Sequence, residues 1–271
     1  MATCARWPTG ATVSGKSSGS ASISGRSIIT TGGSETTRVN GLITISFNEV
    51  PGKAVAVVFT GGCNFRCPWC QNRDLVLRPE SMPVITEEDI FAAVEKRRKW
   101  LDGIAITGGE PTLQPDLKDF CGRVKEKGLQ VSVATNGSDP RVLDDLINSG
   151  LIDYISMDVK APLTPERYRE LTGVDDSAVF ERVLESIELI RNSPVDYEFR
   201  TTLVPELLSP DDVVKIATYL RGARRYAIQQ FAPHSTVDPR FEQMAPWPRE
   251  AVERTRKAIS GMFKSFEVRN I

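Results

Sequence analysis

Three cysteines fall within eight residues, in the run Gly61-Gly62-Cys63-Asn64-Phe65-Arg66-Cys67-Pro68-Trp69-Cys70. Three thiolates on one short loop can hold three irons of a [4Fe–4S] cube. No fourth cysteine follows in ferredoxin spacing, so the fourth iron would be left for a ligand from outside the chain. An open metal position belongs to catalysis more than to electron storage. Gly61 and Gly62 let the backbone turn closely around such a cluster, and Trp69 offers an apolar face beside it. The same sulfurs could instead hold zinc with Cys121 or His234 as fourth ligand, or be inert thiols. Cys121 sits in a helical pattern and reads as a small buried apolar residue.

The other residues with chemical potential end short β-rich runs. Strands are predicted at 54–60, 104–107, 130–135, 154–158, 197–203 and 225–230, and helices at 86–100, 115–127, 140–149, 177–192, 210–220 and 248–263. Phe180, Val183, Leu184 and Ile187 give the i, i+3, i+4, i+7 stripe of an amphipathic helix. Alternating strands and helices imply a parallel sheet with crossover helices. Six such units suit an incomplete (β/α)6 TIM-like barrel, with a doubly wound sheet as the alternative. In both folds chemistry collects at the C-terminal ends of the strands. Cys63 follows the first predicted strand and Gly108-Gly109-Glu110 the second. Thr135-Asn136-Gly137 ends the third and Asp158 the fourth. Arg200 and Thr202 lie toward the end of the fifth, and Gln229, Gln230 and His234 end or follow the sixth.

The chain has 271 residues, enough for one large domain. Its 34 Lys and Arg against 35 Asp and Glu argue against a nucleic-acid binder or an acidic tail protein. The longest apolar runs are too short to cross a bilayer, so neither nucleic acid nor a membrane is expected as a partner. Residues 1–40 hold eight Ser, seven Thr and six Gly and show neither helical nor strand periodicity. Too little apolar surface is available there to offset ordering, so 1–40 is expected to be disordered and 41–271 to form the folded domain with a C-terminal helix. Within this segment Gly10 to Ser17 spells the phosphate-loop pattern G-x-x-x-x-G-K-S, but without the flanking strand and helix that make such a loop work. An organellar transit peptide is a further reading of the segment, and Cys4 has no assigned role.

The cysteine run with its Trp69, followed by Gly108-Gly109-Glu110-Pro111, resembles the radical S-adenosylmethionine (SAM) enzymes. The stretches 50–59 and 61–72 are similar to the activating enzymes of glycyl radical enzymes, such as that of pyruvate formate-lyase. Asp158-Val159-Lys160 and Glu170-Leu171-Thr172-Gly173-Val174 extend the likeness. Phe199-Arg200-Thr201-Thr202 and Gln229-Gln230-Phe231 resemble the long form of the activating proteins of anaerobic ribonucleoside-triphosphate reductase. The likeness covers about residues 41–245.

The resemblance implies that Cys63, Cys67 and Cys70 ligate the cluster and that SAM chelates its open iron. It places Gly108, Gly109 and Glu110 at the amino group of SAM, and Asp158, Lys160, Arg200 and His234 around the rest of it. Trp69 and Thr135 belong to the same pocket. A monovalent cation is implied near Asp158 and Thr135, although the family's Asp before Thr-Asn-Gly is Ala134 in this chain. Flavodoxin or ferredoxin would deliver an electron, SAM would be cleaved to a 5′-deoxyadenosyl radical, and a glycine of a partner enzyme would become the stored radical. An oxygen-poor cytoplasm is the expected setting. The alternatives are a radical SAM enzyme acting on a small molecule, in the manner of a carboxy-deazaguanine synthase, and a non-catalytic metal-binding module.

Overall fold

The computed structural model describes residues 37–270. The strands are β1 (Val39–Ser46), β2 (Val55–Thr60), β3 (Gly103–Gly108), β4 (Gln130–Thr135), β5 (Tyr154–Asp158), β6 (Asp196–Leu203), β7 (Arg225–Gln230) and β8 (Ser265–Arg269). The helices are α1 (Arg73–Leu77), α2 (Glu87–Glu95), α3 (Leu117–Glu126), α4 (Pro140–Asn148), α5 (Pro165–Thr172), α6 (Ser177–Asn192), α7 (Pro210–Tyr219) and α8 (Arg249–Ile259). All eight strands form one sheet in strictly sequential order. β1 runs antiparallel to β2, and every later neighbour pair is parallel.

Sequential order decides between the two architectures. A doubly wound sheet must reverse its strand order at a switch point, and no reversal occurs here. β2 to β7 each lead into a helix on the same turn of the winding, and β8 adds a last parallel strand. β1 and β8 are the sheet's two free edges, so the barrel is incomplete, as the patterning predicts.

The strands and helices form for ordinary local reasons. β2 is Val-Ala-Val-Val-Phe-Thr and nearly all buried, as a parallel strand covered on both faces must be. Thr86, Thr164, Asp176 and Ser209 cap α2, α5, α6 and α7 by accepting backbone N–H groups. The stripe of α6 buries Phe180, Val183 and Ile187 against the outer face of the sheet, while Leu184 packs there half-buried. A second, smaller apolar cluster of Val50, Val55, Val57, Ala105 and Tyr154 lies apart from this main core.

Two strands lie outside the predicted set. β1 begins at Val39, and Arg38 N–H already donates to the Gln114 side chain at 3.0 Å, ahead of the boundary at residue 41 drawn from composition. β8 lies beyond the predicted last helix, which ends at Ile259 instead of 263. The helix predicted to reach residue 100 ends at Glu95 and continues as a separate 3-10 turn, Arg98–Trp100. The short helices α1 and α5 had no periodicity long enough to read. The Gly10–Ser17 pattern, Cys4 and the expected disorder of 1–40 fall outside the described residues, apart from 37–40. Among the described residues no helix is long and apolar enough to cross a membrane.

Charge, not only apolar contact, joins the strands from β5 onward. Ser156 and Glu198 are register partners on β5 and β6, and the Ser156 hydroxyl donates to Glu198 at 2.9 Å. Arg269 of β8 reaches past β7 to grip both Glu198 oxygens at 2.9 and 2.7 Å. Glu198 is only 1% exposed, so this fork is what makes its charge tolerable there. Replacing one partner strands the other. Arg269→Ala is expected to cost about 3–5 kcal/mol in urea unfolding, and adding Glu198→Leu should recover much of that loss.

Candidate active site

The C-terminal ends of the parallel strands open into one cleft of about 960 Å³ counting its mouth, within the size range of small-molecule sites. Its lining brings together Cys63, Cys67, Trp69 and Cys70 from the loop after β2, and Gly108, Gly109 and Glu110 from the end of β3. Thr135 and Asn136 join from β4, Asp158 and Lys160 from β5, and Arg200 from β6. Of the residues that the resemblance assigned to the cluster and SAM, His234 alone stands outside. It is exposed, on the loop after β7, and not part of this lining. That loop serves the site differently, because the N–H groups of Val237 and Asp238 donate to the carbonyls of Cys70 and Pro68 at 3.0 and 2.9 Å.

The cysteine loop is therefore held in place by segments distant in sequence. Arg66 N–H donates to the Thr172 carbonyl at 2.7 Å, and the Arg66 guanidinium turns back onto the carbonyls of Cys63 and Phe65. Gln71 donates to the Ala232 carbonyl at 2.6 Å, and Asn72 to the Gly108 carbonyl at 2.6 Å. Phe65 and Trp69 are buried beneath it. Gln71 and Asn72 were not among the candidate residues, since single amides carry no spacing signal, and Asn136 was noted there only as part of the run Thr135-Asn136-Gly137.

The two glycines of Gly108-Gly109-Glu110 are needed by the protein's own backbone. A Cβ on Gly109 would lie 1.7 Å from the Gly62 carbonyl oxygen, and one on Gly108, whose φ is +118°, would lie 2.4 Å from Thr60 N. Only glycine lets the end of β3 press against the cysteine loop, and Glu110 N–H then donates to Gly62 O at 2.8 Å.

Glu110 braces the protein as well as lining the cleft. Its carboxylate is 1% exposed. One oxygen accepts from Thr112 N, Thr112 Oγ1 and Thr135 Oγ1 at 3.1, 2.7 and 2.7 Å, and the other accepts from Asn136 N at 2.7 Å. A carboxylate has about four lone-pair sites, so three donors crowd Oε1 while Oε2 keeps one site. Burial pushes its pKa up, and the four hydrogen bonds work against that rise. The group ties the end of β3 to the end of β4.

Asp158 and Arg200 are register partners, and Arg200 Nε donates to Asp158 Oδ1 at 2.9 Å. Lys160 Nζ donates to Asp158 Oδ2 at 3.2 Å. Burial alone would raise the Asp158 pKa, but Arg200 and then Lys160 more than reverse this and hold it below the usual carboxylate value. Lys160 shows the mirror image, with burial opposing its charge and Asp158, Cys67 and Cys70 favouring it. Its side chain lines the same cleft as the cysteine sulfurs. The residues present do not fit the monovalent cation implied by resemblance. Both Asp158 oxygens carry a cationic side chain, Ala134 offers no side-chain oxygen, and the Thr135 hydroxyl is engaged by Glu110 and Gly137 N.

The donor set does fit an iron–sulfur cluster. Three sulfurs line one wall of the cleft, each partly or fully sheltered, with a lysine in the same lining. Burial first, then the charge of Glu110, raises the Cys63 thiol to about 11, and burial raises Cys67 to about 12. A soft cation is what would draw the thiolates out. Neither of the fourth zinc ligands expected from the sequence is at hand, because Cys121 is buried in α3 and neither it nor His234 lines the cleft. Among the described residues no three His, Cys, Asp or Glu side chains converge at single-ion distances.

The brace predicts its own failure. Glu110→Gln sets an amide NH2 against donors that need an acceptor, and each orphaned buried donor costs about 1–3 kcal/mol. Urea unfolding of the variant should show a loss of at least that size. Gly109→Ala should lose iron on reconstitution, measured as iron per chain, because its methyl group displaces the Gly62 carbonyl.

Comparison with known proteins agrees with this geometry. The radical SAM superfamily pattern matches residues 57–220. A protein of Methanocaldococcus jannaschii, provisionally named a glycyl-radical enzyme activating enzyme, is 37% identical over 78% of this chain and 87% of its own length. The pyruvate formate-lyase-activating enzyme of Streptococcus mutans is 29% identical over 80% of this chain and 86% of its own. Among solved structures, SuiB of Streptococcus suis bound to its precursor peptide superposes with a TM-score of 0.60 at 12% identity, over 78% of this chain and 48% of that one, a likeness of fold alone. With a matched pattern running from β2 to the end of α7, and a relative 37% identical over 78% of this chain, the chain belongs to the radical SAM superfamily.

Proposed function

We propose that this protein activates a glycyl radical enzyme, with Cys63, Cys67 and Cys70 ligating a [4Fe–4S] cluster and SAM occupying the cleft beside it. The observation that carries the reading is the meeting, in one cleft, of the three-cysteine loop with the ends of β3 to β6, in a chain whose relatives bear activating-enzyme names. When bound, the cluster and SAM supply one-electron cleavage of the sulfonium, which ends in removal of a hydrogen atom from a glycine Cα.

The chain's own residues bind, orient and shelter. Gly108 and Gly109 bring bare backbone to the cofactor's amino acid end, and Glu110 keeps that backbone rigid. Arg200 and Lys160 offer positive charge to carboxylate or ribose oxygens, while Asp158 holds both cations in place. Trp69 and Phe65 shield the cysteine loop from water. Thr135 acts through Glu110. His234 is not included, because its side chain is exposed outside the cleft.

Anaerobic ribonucleoside-triphosphate reductase is the proposed partner, with flavodoxin or ferredoxin as electron donor. Two residue patterns support it, Phe199 to Thr202 and Gln229 to Phe231. They occupy adjacent strand ends, where Thr202 and Gln229 are register partners joined by a 2.8 Å hydrogen bond at the cleft.

The test is release of 5′-deoxyadenosine from SAM by the anaerobically reconstituted, dithionite-reduced chain. Release is expected, and it should vanish in Cys67→Ala. Addition of the reductase should produce an organic radical by electron paramagnetic resonance. Release with a radical on a different glycyl radical enzyme would overturn the partner assignment, and absence of bound iron would overturn the reading itself.

A further inference from the structure

Asn136 is buried, 4% exposed, yet it lines the cleft and is not a cysteine-loop residue. Its amide orientation is fixed by its neighbours. Oδ1 accepts from Ser138 N at 2.9 Å, so Nδ2 must face the other way. There Nδ2 has two hydrogens to place. One meets Asn64 Oδ1 at 2.9 Å, and the other points at Cys63 Sγ at 3.9 Å.

The support around this amide is rigid. Asn136 N donates to the braced Glu110 carboxylate at 2.7 Å. Ser186 Oγ of α6 donates to the Gly137 carbonyl at 2.7 Å, and Arg182 Nε of the same helix donates to the Ser138 carbonyl at 2.9 Å. Asn64 is itself pinned, because its Nδ2 donates to Ser138 Oγ at 2.8 Å. The donor is therefore held toward one particular sulfur by two elements outside the cysteine loop. Phe65 N gives Cys63 a second donor at 3.4 Å from within that loop.

We infer that Asn136 is a positioning residue that raises the reduction potential of the cluster by donating an N–H to the Cys63 sulfur. The inference rests on the proposed reading that Cys63 ligates a [4Fe–4S] cluster. Reduction adds one electron, and part of the added charge resides on the ligand sulfurs. A fixed N–H donor stabilises that charge more in the reduced state than in the oxidised one, and hydrogen bonds to sulfur are among the protein's levers on cluster potential. The same donor orients Cys63 without touching an iron.

Two variants separate tuning from packing. Asn136→Asp keeps the acceptor for Ser138 N–H and nearly the same volume, but loses the donor and adds negative charge. Asn136→Ala removes the whole amide. Both would be reconstituted anaerobically as the full chain and titrated electrochemically without SAM, with the midpoint read by electron paramagnetic resonance. Asn136→Ala is expected to make reduction about tenfold less favourable, a negative shift of about 59 mV for one electron, and Asn136→Asp to shift further in the same direction. Iron and sulfide content should equal that of the unsubstituted chain. An unchanged midpoint in either iron-replete variant would overturn the inference, as would loss of the cluster from both, which would make Asn136 purely structural. Failure of the unsubstituted chain to bind iron would instead overturn the reading beneath it, and the two failures are told apart by that control.

Discussion

The site depends on one backbone contact, between the end of β3 and the loop that carries the cysteines. Gly109 lies where any side chain would collide with the Gly62 carbonyl, and Glu110 N–H bonds that carbonyl directly. The loop can therefore reach the neighbouring strand only because neither side presents a Cβ at the point of contact. Its remaining ties, to Thr172, to Ala232 and to Val237 and Asp238, fix its far side. A loop of this length has little internal structure to hold three sulfurs in place, so its order comes from what it is pressed against.

Electrostatics follows the same economy. The carboxylates near the cleft are each paired within the protein. Glu110 accepts from four donors, Asp158 from two cationic side chains, and Glu198 from Arg269 and Ser156. Lys160 and Arg200 line the cleft with Asp158 between them. Two cations against that one carboxylate favour an anionic cluster and a carboxylate-bearing cofactor beside them.

The cysteine spacing, the glycine pair and the βα alternation were legible in the sequence because each depends on local residue type. All six predicted strands matched within a residue at either end, since buried parallel strands carry runs of apolar and β-branched residues. β1 was hidden by its join to a segment of Ser, Thr and Gly, and β8 by being short, half-exposed and rich in charge. The part played by Glu110 was not legible, because a carboxylate that attracts a ligand and one that braces two loops have the same letter. His234 was drawn in by the resemblance and by its place after the sixth predicted strand, and the structure puts its exposed ring outside the cleft lining while its neighbours Val237 and Asp238 tie down the cysteine loop.

The strap formed by residues 232–238 bears on the order in which the protein is made. Gln71 finds its carbonyl partner 161 residues further along the chain. A ribosome releases the cysteines long before it releases the segment that seats them. Until then the loop is an untethered thiol-bearing peptide, open to oxidation and to capture of whichever soft metal is near. The seat of the three sulfurs is therefore complete only once the chain has been made as far as Asp238.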